Sequence, residues 1–277
     1  MAVILGTVLA RTALILIPRF HKIAYKNLSV SFPGMDRWQQ DQTLHGLCVS
    51  VARQMTAFCH MQDVTPQNVA KVCIHDGLEN YLAAKNKGKG VLVLTGHIGG
   101  WEIGAFAHSV YGYPMNIVVR DIDNPLVDAW ARQQRERFGN RTVDGRKYAR
   151  TYLHILLEGG VLGVLMDTNV TPPRGVFAPF FGVQACTGSA VAKLARHTGA
   201  AVVPGFTVWD ETVGKYRIIF SPELQLQNSQ DEDMDVSANT AQFNRVYEDI
   251  IRKYPEQWLW IHRRWKTRPA GEEPFYD

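Results

Sequence analysis

Val91-Leu-Val-Leu-Thr95, running directly into Gly96-His-Ile-Gly-Gly-Trp-Glu102, is the stretch that decides the fold. The apolar run lies between the solvated turn Lys85-Asn-Lys-Gly-Lys-Gly90 and a glycine, and it reads as a short strand buried on both faces. Such strands belong to sheets covered by helices on either side. The glycines that follow allow a sharp bend into a helix beginning near Gly100.

Working outward, the same alternation recurs. A helix over 100–110 is followed by a strand at 115–119, a helix from Pro125 to Phe138, a short strand at 141–143 and a helix from Tyr148 to Leu157. Gly160 to Met166 is another buried strand. Thr187 is expected to cap a helix over Val191 to His197, with Gly199 as its stop. Ala201 to Pro204 and Tyr216 to Phe220 supply further strands. Asp231 to Asp235 reads as a solvated acidic loop, and Ala238 to Lys253 as the last long helix. Upstream, residues 1–30 read as helix, Ser31-Phe-Pro-Gly34 as a turn, and Asp36 as a cap for a helix through Leu47 and Met55. Together these give an α/β sandwich with a largely parallel sheet flanked by helices.

The 277 residues have room for one large domain, and no repeat, low-complexity tract or Gly/Ser linker divides them. We therefore expect a single domain over 1–277, with an N-terminal helix at 1–30 and the body at 31–277. A net charge of +4 is too weak a bias to imply nucleic acid. The basic residues gather near both ends, around Arg19, Lys22 and Lys26 and again from His262 to Arg268, which suits an anionic membrane surface or phosphorylated headgroups. Ala2 to Ile17 is apolar apart from Arg11 and is shorter than the ~20 residues a spanning helix needs. It is read as an amphipathic or partly inserted interfacial helix, with an ordinary core helix nearly as good a reading. Cys48, Cys59, Cys73 and Cys186 have no metal-binding spacing and read as small buried thiols. No serine nucleophile elbow, phosphate loop, zinc-hydrolase motif or dinucleotide fingerprint occurs, so a serine lipase, a nucleotide-dependent kinase, a zinc hydrolase and a classical dehydrogenase lose their usual anchors.

The residues placed for chemistry are His97 and Glu102. Ligands of such sheets sit beyond the carboxyl ends of the strands, where His97 falls. With Gly99 and Gly100 between them, the imidazole and the carboxylate can meet. The imidazole would take a proton from an attacking hydroxyl while the carboxylate orients the ring. A structural loop histidine and a helix-first-turn acid would leave the same letters.

The Gly-His-x-Gly-x-Trp-Glu element resembles the late acyltransferases of lipid A biosynthesis, the lauroyl/myristoyl transferase family. Four further stretches agree in order: Lys26-Asn-Leu-Ser-Val-Ser-Phe-Pro33, Arg120-Asp-Ile-Asp-Asn-Pro-Leu126, Met166-Asp-Thr-Asn169 with Arg174-Gly-Val-Phe-Ala-Pro-Phe-Phe-Gly182, and Pro255 to Pro269. The resemblance implies a glycerolipid-acyltransferase-like fold and catalysis without a metal. It also implies an acyl-carrier-protein thioester as donor, a glycolipid acceptor, and work at the cytoplasmic face of the cell inner membrane. It makes His97 the general base and Glu102 its partner, with Arg120, Asp167 and Arg174 in or beside the substrate site. The family's opening apolar segment is usually longer than the one here. An acceptor such as a phosphatidylinositol mannoside or a lysophospholipid, a non-catalytic lipid-binding role, and a thioesterase are the alternatives. Phe177 to Phe181 is either core or the wall of an acyl-chain tunnel. The run Trp258 to Arg268 either seats its indoles at headgroup level and its cations on lipid phosphates, or packs Trp258 and Ile261 in the core with the charges facing water, and the two readings are compatible.

Overall fold

Pro18 divides what the sequence suggests is one N-terminal helix. Its ring removes a backbone donor and forces Ile17 into an extended conformation (φ −105°, ψ 94°). In the computed structural model, which describes residues 1–145 and 149–276, α1 (Ala2–Leu16) and α2 (Pro18–Ser31) meet at 92°. Among the described residues no single helix is long and apolar enough to cross a membrane. The next helix, α3 (Arg37–Cys59), starts where Asp36 announces it. The Asp36 carboxylate accepts from Gln39 N–H at 2.8 Å, and the Gln39 side chain accepts from Asp36 N–H at 2.8 Å, a reciprocal cap.

The body then alternates as expected: β1 (Cys73–Asp76), α4 (Leu78–Lys85), β2 (Val91–Thr95), α5 (Trp101–Val110), β3 (Asn116–Val119), α6 (Pro125–Glu136), β4 (Arg141–Asp144), α7 (Ala149–Leu157) and β5 (Val161–Leu165). The expected helix start at Tyr148 lies outside the described residues. After these come the hairpin β6 (Gly175–Phe180) and β7 (Val183–Gly188), then α8 (Ala190–Thr198), β8 (Ala201–Asp210), β9 (Lys215–Phe220) and α9 (Glu232–Lys253). The main sheet has the order β1-β9-β8-β2-β5-β3-β4 and is parallel except between β8 and β9. Its central strand is buried on both faces. Leu92 and Leu94 face a core shared with α2, α3, α8 and α9, while Val91 and Val93 face a second core under α4 and α5. That two-sided burial is why the strand reads as a continuous apolar run.

Three expectations need correction and one open alternative is decided. Asp231 to Asp235 is no loop. Asp231 caps α9 through Met234 N–H at 3.0 Å, and Asp235 is buried against Arg196 and Ser229. Acids suit a helix N-terminus electrostatically, so the acidic run marks the start of the helix. Thr187 does not cap α8. It lies inside β7, and Ser189 precedes the helix without a side-chain cap. Of the two readings left open for the C-terminal run, Trp258 packs in the core, and Trp260 and Trp265 are buried as well, with Phe180 against Trp258 and Trp265. Finally, Cys59 is exposed, whereas Cys48, Cys73 and Cys186 are buried.

A histidine pair, His108 buried and His75 half-buried, also sits at the second core. His75 Nε2 and His108 Nδ1 lie 2.8 Å apart among Tyr81, Tyr113 and Phe220. Burial pushes His75 down to about 4; burial, with the nearby His75 and Lys85, pushes His108 down to about 3. The unfolded chain takes up protons at these residues below pH ~6.5 while the folded chain does not, so stability falls as the pH drops from there to the folded values. Thermal melts between pH 7 and pH 4 should show this fall. His108→Phe should flatten it by about 1.4 kcal/mol per pH unit, the slope for one proton; an unaltered slope in the variant would count against the pair as the cause.

Candidate active site

The register of two neighbouring strands assembles the centre. Parallel pairing sets Thr95 of β2 opposite Leu165 of β5. Two residues further along each strand, His97 and Asp167 come side by side. Gly96 makes the approach possible, since a Cβ there would stand 3.0 Å from the Asp167 carboxyl carbon and 2.9 Å from the Tyr247 ring. His97 N–H donates to Asp167 Oδ2 at 2.8 Å, and ring Nδ1 lies 2.8 Å from Oδ1. Trp258 Nε1–H donates to Oδ2 at 2.8 Å. The carboxylate is buried, which by itself would raise its pKa. The charge of His97 and the hydrogen bonds from His97 and Trp258 outweigh burial and hold it down at about 2. For His97, burial works to lower the pKa, but the Asp167 charge and hydrogen bond, with Glu102 adding its charge, leave it raised. An ionised Asp167 fixes the proton on Nδ1 and leaves the Nε2 lone pair free, a tautomer assigned from the hydrogen bonds.

Glu102 does not hold the ring. It lies in the first turn of α5, where its two oxygens take Arg135 Nε at 2.8 Å and Nη2 at 2.6 Å in a bidentate pair. The partner expected for His97 is therefore replaced by Asp167 in the ring-orienting position. The five-residue spacing turns the Glu102 side chain toward α6, while strand register brings Asp167 to the imidazole. Burial lowers the Arg135 pKa, but Glu102 outweighs it and raises the value, so this guanidinium stays charged.

His97 and the Glu102–Arg135 pair open on a cavity of about 750 Å³ between the sheet and α5. Arg120 and Arg174 line it, both on exposed loops, and Arg120 lies 3.7 Å from Asp123. Asp167 stands behind His97 rather than in the cavity wall. Deeper, Val93, Ile117, Gly163 and Gly205 of the strands face Gly104 and His108 of α5. Gly163 has no side chain to fill this space, and a Cβ there would meet Met115 Sδ at 3.1 Å. The cavity is thus charged at its rim and apolar within. Among the described residues, no group of three or more His, Cys, Asp or Glu side chains is placed to hold a metal ion.

Sequence reasoning missed Arg135, Trp258 and His262 as parts of this site. Arg135 lies in the helix from Pro125 to Phe138, which the sequence marks only as a helix. Trp258 and His262 lie far along the chain, and their signals were the mixture of aromatic and basic residues in the C-terminal run and the family resemblance of Pro255 to Pro269, neither of which assigns them to the site.

A family model described as bacterial lipid A biosynthesis acyltransferase matches residues 2–267. Among curated proteins, the chain is 28% identical over 273 residues to a lipid A biosynthesis palmitoleoyltransferase of Escherichia coli K12, covering 98% of this chain and 87% of the relative. It is 30% identical over 269 residues to a lipid A biosynthesis lauroyltransferase of the same strain, with 96% and 86% covered. A lipid A biosynthesis myristoyltransferase, again from that strain, is 24% identical over 250 residues, with 89% and 75% covered.

Proposed function

The chain belongs to the bacterial lipid A biosynthesis acyltransferase family, and from that premise we propose that it carries a fatty acyl group from an acyl-carrier-protein thioester to a hydroxyl of a lipid A precursor, with His97 as general base. The observation that carries this reading is the His97–Asp167 pair standing at the charged mouth of an apolar cavity. The acceptor hydroxyl gives its proton to His97 Nε2, and its oxygen attacks the thioester carbonyl carbon. The tetrahedral intermediate collapses with loss of the carrier thiolate, which takes the proton back from the imidazolium. Asp167 keeps the ring in the competent tautomer and stabilises its charged form. The acyl chain runs between the sheet and α5, past Gly163 and Gly205, away from water. Arg120 and Arg174 at the rim suit the phosphates of the acceptor or the donor's phosphopantetheine, and Glu102 acts by holding Arg135 in the cavity wall.

We place the enzyme at the cytoplasmic face of the cell inner membrane. Helix α1 supports this reading. Ile4, Leu5, Val8, Leu9 and Leu16 are each more than half exposed, a face an aqueous surface has no reason to present but an interfacial helix does.

The test is transfer from a labelled acyl-carrier protein to a tetra-acylated lipid A precursor, read by mass spectrometry. One added acyl group is the expected product. Unchanged precursor with a folded protein and a competent donor would move the acceptor to another lipid, and free fatty acid in place of product would make water the acceptor.

A further inference from the structure

Besides His97 and His108, the imidazole of His262 lines the same cavity, held in the opposite sense to His97. The backbone N–H of Asn169 donates to His262 Nε2 at 2.9 Å. A backbone amide can only donate, so this nitrogen must carry the lone pair, and the ring proton resides on Nδ1. Among the described residues no group takes that proton; the ring lines the cavity, and Nδ1 is not among the sealed, unpartnered atoms of the interior.

The ring is rigidly held. Asn169 is locked by Thr267 through two bonds of 2.9 Å, Nδ2–H to Oγ1 and Oδ1 from the Thr267 N–H. The His262 carbonyl accepts from Asn27 Nδ2 at 2.8 Å. Burial holds the ring neutral, its pKa down at about 4; the nearby charges of His97 and Arg264 work in the same sense and Asp167 against it. One short segment, Asp167-Thr168-Asn169, therefore sets both imidazoles: its first residue leaves His97 with a free lone pair, and its last leaves His262 with a free N–H.

On the acyl-transfer reading above, we infer that His262 donates its Nδ1–H to the thioester carbonyl oxygen as negative charge builds there. The attack moves an electron pair from the carbonyl bond onto that oxygen and needs a fixed donor beside it. A neutral imidazole that is already oriented stabilises this charge without reorganising and without a competing proton transfer. His97 takes the proton from one side of the reaction and His262 holds the oxygen on the other.

The experiment compares wild type, His262→Ala and His262→Asn in acyl transfer across a range of pH. His262→Ala should lose about 10²- to 10³-fold in kcat, the usual effect of removing one such donor, with KM for the acyl-carrier-protein donor nearly unchanged. His262→Asn offers a carboxamide N–H in its place and should recover part of the loss. The acid limb, which belongs to His97, should stay where it is in both variants. A residue that only braced the Asn169 turn would act through Asp167 and would shift that limb. ¹⁵N NMR of the histidine-labelled wild type at pH 7 should show His262 protonated at Nδ1 alone, a result independent of how the variants fold. Undiminished kcat in His262→Ala, a limb that moves with it, or an Nε2-protonated ring each overturns the inference and leaves acyl transfer standing. No turnover by the wild type would take down the transfer reading and this inference with it.

Discussion

Asp167→Asn is expected to lower kcat by about 10³- to 10⁴-fold, close to the loss from His97→Ala, while the protein stays folded. The reason lies in how the three donors divide the carboxylate. Oδ2 takes both the His97 N–H and Trp258 Nε1–H, and Oδ1 takes the ring at Nδ1. A carboxamide has one oxygen, which two N–H donors will claim. Its amino group then faces the imidazole and pushes the ring proton to Nε2, the position that must be vacant for a base. The pH profile should move too. Asp167 favours the imidazolium, so the wild-type acid limb should sit above pH ~6.5, the ordinary histidine value. Without the negative charge the pKa falls and the limb shifts to lower pH. Glu102→Gln should cost less, since it loosens Arg135 and leaves the ring bond intact. A Glu102→Gln loss larger than that of Asp167→Asn, with the limb moved, would return the partner role to Glu102.

Arg264→Ala is the substitution expected to damage stability most. Arg264 is wholly buried (0% exposed), yet among the described residues none of its bonds goes to a carboxylate. Its guanidinium donates to the Cys186 carbonyl at 3.2 Å, to Asn244 Oδ1 at 3.2 Å and to Thr187 Oγ1, and it stacks over Phe180 at 4.7 Å. Burial pulls its pKa down to about 10, which still leaves it charged at neutral pH. Truncation removes a donor from each of these three oxygens of the β7–α9 contact, leaving the Cys186 carbonyl with Val170 N–H and Asn244 Oδ1 with the Thr187 hydroxyl, and opens a void beside Phe180. The two effects together should cost about 3–5 kcal/mol, a fall in melting temperature of roughly 10 °C for a chain of this size. Lys87→Ala, whose ion pair with Glu223 lies at the surface, should cost less than about 1 kcal/mol. Equal melting temperatures for the two variants would show that the buried cation contributes nothing.

The alternation of elements was readable because burial on two faces writes itself into consecutive letters. Val91 to Leu94 could hardly be anything but a central strand, and Asp36, Gly199 and Pro125 mark helix ends through chemistry confined to one turn. Where local letters serve two purposes, reading them failed or left both purposes open. An acidic run is both a solvated loop and a helix start, and a Trp- and Arg-rich run is both a membrane belt and a core with one buried guanidinium.

The site divides in the same way. By itself the sequence determined that His97 stands past the end of a buried strand, ahead of a helix, because glycines and a strand are local signals. It could not determine which carboxylate meets the ring. That depends on Thr95 lying opposite Leu165, a register between strands seventy residues apart, and on Gly96 letting Asp167 in. Nor could it show that Asn169 turns His262 into a donor. Hydrogen bonds of this kind are decided by how strands and loops are brought together, and spacing along the chain carries no record of it.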